Sequence, residues 1–198
     1  MKKYIAAVLG LFVMAFATVC FAAESYQMIY EAKGFTEGMK NDQAFSKTFT
    51  TPYGALKIQA RKLWMANSNE RIHFIVWLDD NRIADEHLPE VTYGYTLRAF
   101  KNISDSNLFY TLESIDRACL YGYSPAKKQL EVYIDSQNYA RENGAYPYIV
   151  ALKNGNLILA FEKGSKCRRY RFNWDTKANW FGYSDLGVGW PSIRKDKQ

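Results

Sequence analysis

The chain has 198 residues and a formal charge of +6, with 48% hydrophobic, 23% charged and 16% aromatic residues. That balance excludes a disordered chain and one built mainly of membrane spans. The positive excess is too modest to mark a nucleic-acid binder, though it permits attraction to anionic polymers or lipid surfaces.

Lys2 and Lys3 precede an apolar and small stretch from Ile5 to Phe21 that ends in Cys20-Phe21-Ala22, and Glu24 then opens a polar chain. This is the pattern of a cleaved secretory signal peptide over residues 1–22. The run is short for a membrane span and lacks a basic stop-transfer cluster. Ala17 and Val19 ahead of Cys20 fit lipid attachment poorly. The expectation is an exported bacterial protein, periplasmic or extracellular, with no stable membrane span after cleavage. Lys2 and Lys3 leave with the leader, so 24 bases face 20 acids and the excess falls to +4. No Gly- or Ser-rich linker divides residues 23–198, which read as one domain.

Strand signals dominate that domain. The segments 26–33, 55–64 and 71–78 are the first, and the last two form a hairpin in this reading. Ala55 to Trp64 alternates apolar and polar residues in its first half, and Arg71 to Leu78 is β-branched and aromatic up to the turn cluster Asp79-Asp80-Asn81. Residues 36–46 read as loop. Further strands are expected at 93–100, 107–113, 117–123 and 129–135, with Ser124 to Lys128 as a turn, and a turn or two of helix at 135–143. Tyr148 to Lys153, Asn154-Gly155 and Asn156 to Glu162 predict a hairpin on a two-residue type I′ turn. In that register Leu152 faces Leu157 and Ala151 meets Ile158. Both faces are apolar, so the hairpin is expected to be covered on both sides. Strands at 166–173 and 179–184 complete an all-β, single antiparallel meander: barrel-like, a two-sheet sandwich, or small and propeller-like.

Cleavage leaves Cys119 and Cys167, and an exported chain with one pair of cysteines is expected to join them in a disulfide worth about 4 kcal/mol. His73 sits mid-strand between Ile72 and Phe74 and is read as structural. His87 lies in Asp85-Glu86-His87-Leu88-Pro89-Glu90, which offers the residue types of a metal or general-base cluster but is read as a solvated loop. No metal centre and no cofactor are expected. No nucleophile elbow, zinc-protease helix or phosphate loop occurs. Asp79, Asp80, Glu113, Asp116, Glu131 and Asp135 could supply a carboxylate pair for hydrolysis, but nothing in the sequence selects two of them.

The C-terminal third carries the candidate binding surface: Trp174, Trp180, Tyr183 and Trp190, with Arg168 and Arg169 just before them. Exposed aromatic rings stack on sugar faces, and Arg attracts anionic groups. The functional expectation is a non-catalytic binding or structural domain of the cell envelope, whose partner is a cell-wall glycan or another envelope protein. The alternatives are a dedicated glycan-binding module and a hydrolase.

Overall fold

Alternating and β-branched segments become antiparallel strands in the computed structural model, which describes residues 25–41, 43–64, 70–175 and 178–191. The expected leader, residues 1–22, and the turn Asn67-Ser68-Asn69 lie outside the described residues. The first strand of the described residues is β1 (Tyr26–Ala32). The chain then runs through β2 (Ala44–Thr51), β3 (Gly54–Trp64), β4 (Glu70–Leu78) and β5 (Asn81–Pro89), which pair with their sequence neighbours as a four-stranded front sheet. β6 (Thr96–Asn102) returns to pair with β1. β7 (Leu108–Glu113), β8 (Ala118–Ser124) and β9 (Gln129–Asp135) extend this middle sheet in the order β1-β6-β7-β8-β9. After a single 3-10 turn, Ser136–Asn138, the back sheet is β10 (Tyr146–Ala151), β11 (Leu157–Lys163), β12 (Lys166–Asp175) and β13 (Trp180–Pro191). None of the sheets closes, so the expected all-β meander takes a sandwich-like form with three layers. Among the described residues no helix is long and apolar enough to cross a membrane.

The alternation of a strand explains the layering, because successive side chains point to opposite faces. On the middle sheet Leu97, Ala99, Leu108, Tyr110, Leu112, Cys119 and Tyr121 pack forward against Leu56, Ile58, Phe74 and Val76 of the front sheet. Their neighbours Phe100, Phe109, Ala118 and Leu120 pack backward against Ile149, Leu157, Leu159, Phe161 and Phe172 of the back sheet. Every residue of β7 is buried.

One charged group interrupts the rear interface. Arg98 is 9% exposed and Glu113 5%. Arg98 Nε donates to Glu31 Oε1 at 2.8 Å, and its Nη1 donates to Glu113 Oε2. The other Glu113 oxygen accepts from the backbone N–H of Ile149 at 3.0 Å. β10 is an edge strand, so that N–H has no ladder partner on its outer side. Glu113 therefore supplies the missing acceptor from the neighbouring layer.

Three expectations are corrected here. The Asn154-Gly155 hairpin forms, but its register is Ala151↔Leu157, Val150↔Ile158, Ile149↔Leu159, one residue away from that of a two-residue loop. Leu152 and Asn156 close a three-residue loop: Leu152 N–H donates to Asn156 O, Gly155 N–H donates to Leu152 O, and only Gly155 takes positive φ (+81°). A three-residue loop needs one left-handed position where the type I′ turn needs two, so Asn154 keeps negative φ. The slip exchanges the faces: Ile149, Leu157, Leu159 and Phe161 enter the rear core, while Tyr148, Val150, Ile158 and Ala160 form a buried cluster on the other side of the sheet. The expectation that both faces are covered holds. Secondly, Asp85 to Pro89, expected with Glu90 to be a solvated loop, belong to strand β5. Thirdly, no disulfide links Cys119 to Cys167. Cys119 is buried between the front and middle sheets, whereas Cys167 lies in β12 with Arg169 Nε 3.3 Å from its sulfur. Burial pushes the Cys119 thiol up to about 11, with Asp135 adding to it, so this sulfur is a poor nucleophile for exchange.

Replacing Glu113 by Gln leaves Arg98 with a weaker buried partner. The expected loss is about 3 kcal/mol in urea unfolding, against less than about 1 kcal/mol for Glu131→Gln at the exposed Lys127 pair. Equal losses would remove the special role assigned to Glu113. At Gly155 a β-carbon would meet Ser25 Oγ at 1.8 Å, in addition to the positive φ. Gly155→Ala should therefore lower stability by more than about 1 kcal/mol, which thermal unfolding will read.

Candidate functional site

All three layers contribute to one cleft at an end of the sandwich. It holds about 100 Å³, and its lining includes Tyr53 at the β2–β3 turn, Asn107, Phe109, Tyr123 and Tyr133 of the middle layer, and Trp174 and Asn179 of the back layer. Tyr53 and Tyr123 rings lie 5.5 Å apart. Tyr133 meets Trp174 edge-on at 5.3 Å and Trp180 at 5.0 Å, and Phe109 backs Trp174 at 5.9 Å. These spacings suit aromatic pairs held by quadrupole attraction.

The backbone makes this crowding possible at Gly122. A β-carbon there would stand 2.7 Å from Phe109 and 2.9 Å from Tyr133, so glycine lets β8 pass directly beneath the two rings. Burial raises the Tyr133 hydroxyl above its usual range, with Glu131 and Tyr53 adding to it. It therefore stays a donor at neutral pH. Thr51, Asn107 and Asn179 add polar residues to the lining; the Thr51 hydroxyl also donates to Gly54 O at 2.8 Å and the Asn107 amide to Asp105 Oδ2 at 2.6 Å. Trp180 is 42% exposed beside it.

The sequence-predicted residues divide between three places. Trp174 lines the cleft and Trp180 flanks it. Tyr183 is 58% exposed and belongs to a separate group with Tyr139, Tyr170 and Phe172. Arg168 lies over the Tyr170 ring and pairs with Asp185, beside a second hollow of about 230 Å³ that also takes in Lys163, Lys166 and Glu142. Arg169 and Trp190 stack on each other, 5.3 Å from guanidinium to ring, and Arg169 alternates to the face opposite Arg168. Closeness in sequence misled because β12 and β13 present two faces and span the length of the sheet.

The sequence reading missed Tyr53, Tyr123, Tyr133, Asn107 and Asn179. A local signal exists for two of them, since Tyr53-Gly54 and Gly122-Tyr123 place a tyrosine beside a glycine at a turn or a close approach. The remainder depends on how the layers stack.

Of the candidate carboxylates, Asp79, Glu113, Asp116, Glu131 and Asp135 have structural partners. Asp79 Oδ1 accepts from Ala55 N–H at 2.8 Å, and Asp116 accepts from Ser114 Oγ at 2.7 Å. Asp135 pairs with Arg117 at 2.7 Å, and Glu131 pairs with Lys127 at 2.9 Å. Asp85, Glu131, Asp135 and Asp185 all lie below their ordinary acid range. The cause at Asp85 is chiefly its hydrogen bond to His73, at Glu131 Gln129 and then Lys127, and at Asp185 the Arg168 guanidinium. At Asp135, desolvation opposes ionisation, but hydrogen bonds from Arg117 and the Gln137 N–H outweigh it. A general acid needs a shift in the other direction.

Comparison with models of known protein families, with characterised proteins and with solved structures finds no match.

The four depressed carboxylates fix the sign of the acid response. A group whose folded pKa lies below its unfolded value stabilises fully above the unfolded value, and that contribution is lost as pH falls through the folded one. The urea midpoint should hold from pH 7 to about pH 5 and fall below about pH 4. A midpoint that rises on acidification would contradict these shifts.

Proposed function

We propose that this chain is an exported, non-catalytic binding domain of the bacterial cell envelope, and that its aromatic cleft takes part of a glycan chain. The observation that carries the reading is the convergence of Tyr53, Tyr123, Tyr133, Trp174 and Trp180, drawn from three sheets, around a cleft with Asn107 and Asn179 beside it. Sugar rings offer C–H faces that pack on aromatic rings and hydroxyls that pair with side-chain amides. A cleft of about 100 Å³ is well below the roughly 300–1,000 Å³ of pockets that enclose a small molecule or cofactor. It suits the edge of a polymer that continues along the surface. The engagement of Asp79, Glu113, Asp116, Glu131 and Asp135 with Arg, Lys, Ser and backbone groups favours binding over hydrolysis.

The test is retention on purified cell wall and insoluble polysaccharides at low and high salt. Stacking is apolar, so retention should survive high salt, and Trp180→Ala and Tyr53→Ala should each weaken it with the thermal midpoint little changed. Retention lost at high salt, or unaffected by both substitutions, would assign the binding to basic side chains such as Arg168 and end the aromatic reading.

A further inference from the structure

The front sheet carries a second constellation on the face turned away from the core. β4 and β5 pair so that His73 stands directly opposite His87, and Asp85 lies two residues from His87 on the same side. The two imidazoles stack with centroids 4.5 Å apart and an interplanar angle of 2°. His73 Nε2 is 2.6 Å from Asp85 Oδ1, and Arg82 Nη1 holds the other Asp85 oxygen at 2.6 Å. One donor atom from each of His73, Asp85 and His87 lies within 4.8 Å of the other two.

We infer that His73, His87 and Asp85 form a binding site for one divalent transition-metal ion of the Zn²⁺ or Cu²⁺ type. Two imidazoles and one carboxylate suit these borderline ions and are the wrong donors for Mg²⁺, which takes oxygen ligands in an octahedron. Donors around a tetrahedral Zn²⁺ sit roughly 3.3 Å apart, given bond lengths of about 2.0–2.1 Å. The three side chains must therefore close by at most roughly 1.5 Å, by rotations that also turn the stacked imidazole planes toward a common point; His87 and Asp85 are exposed and His73 is half-buried. Their backbones need no movement, because the β4–β5 ladder already fixes the spacing. Arg82 orients Asp85 from the oxygen turned away from His73. The fourth position faces solvent, so the ion would carry water there. Arg61, opposite His73 on β3, adds a positive charge nearby and tempers the affinity.

The sequence has two histidines in all, which makes the test clean. Protein prepared without a polyhistidine tag is titrated with zinc chloride, copper chloride and magnesium chloride. Heat is followed by calorimetry, and for zinc the imidazole carbon-bound protons are followed by NMR. The expected result is one Zn²⁺ per chain with both histidine signals moving together, tighter binding of Cu²⁺, and no response to Mg²⁺. His73→Ala and His87→Ala should each weaken Zn²⁺ binding by roughly tenfold or more, with the far-ultraviolet circular dichroism unchanged. If these substitutions disturb the fold, His→Gln at either position serves instead. Binding in which only one histidine signal moves, binding insensitive to His87→Ala, or no binding at all overturns the inference.

Discussion

The bond from Glu113 to the Ile149 N–H is the point on which the layering depends. The middle sheet is buried on both faces, and apolar contact is non-directional, so a directional bond between the layers adds to what packing specifies. Glu113 accepts one backbone hydrogen bond from β10 and one charged bond from Arg98, while Arg98 also reaches Glu31. Three strands of the middle sheet, β1, β6 and β7, are thereby tied to one position on the edge of the back sheet. Moving β10 by one residue would leave a buried carboxylate oxygen and a buried N–H without partners, at about 1–3 kcal/mol for each group. The net worth of such an ion pair against an apolar replacement is small or negative. Its contribution lies in fixing one arrangement of the layers.

The cleft follows from that arrangement. Its rings come from a turn of the front sheet, from β7, β8 and β9, and from the end of β12. Each is unremarkable on its own strand. Only the fixed stacking of the layers brings Tyr53 to Tyr123 and Tyr133 to Trp174. The rings pack largely on one another, which limits their rotation and reduces the entropy a ligand must overcome on binding.

Apolar periodicity made much of the fold legible. The β3–β4 hairpin, the run of strands through the middle sheet and the Asn154-Gly155 turn were all visible as patterns. β2 and β5 were not. β5 is an edge strand with the composition Asn-Arg-Ile-Ala-Asp-Glu-His-Leu-Pro, and its polar run reads as loop because only Ile83, Ala84 and Leu88 reach the front core, and those only in part. The same failure hid the approach of His87 to His73. Register at Gly155 was lost because Asn-Gly serves both two- and three-residue loops, and both faces of the hairpin are apolar enough to fit either core. The candidate residues were legible as types but not as a group, since alternation sends Arg168 and Arg169 to opposite faces.

β1 pairs with β6, and the whole front sheet lies between them in sequence. The front sheet is a local meander and can form from contacts between neighbouring strands. β1 must wait for a distant partner, and its loop-closure entropy is reduced once the intervening strands have folded. Until then β6 presents an open ladder edge, an acceptor for any extended segment of matching pattern. Tyr26 N–H donates to Gly155 O, and Ser25 O accepts from Ile103 N–H, so docking of β1 also closes the seam between the middle and back layers. The topology thereby favours an order of assembly in which the front meander forms before β1 docks on β6.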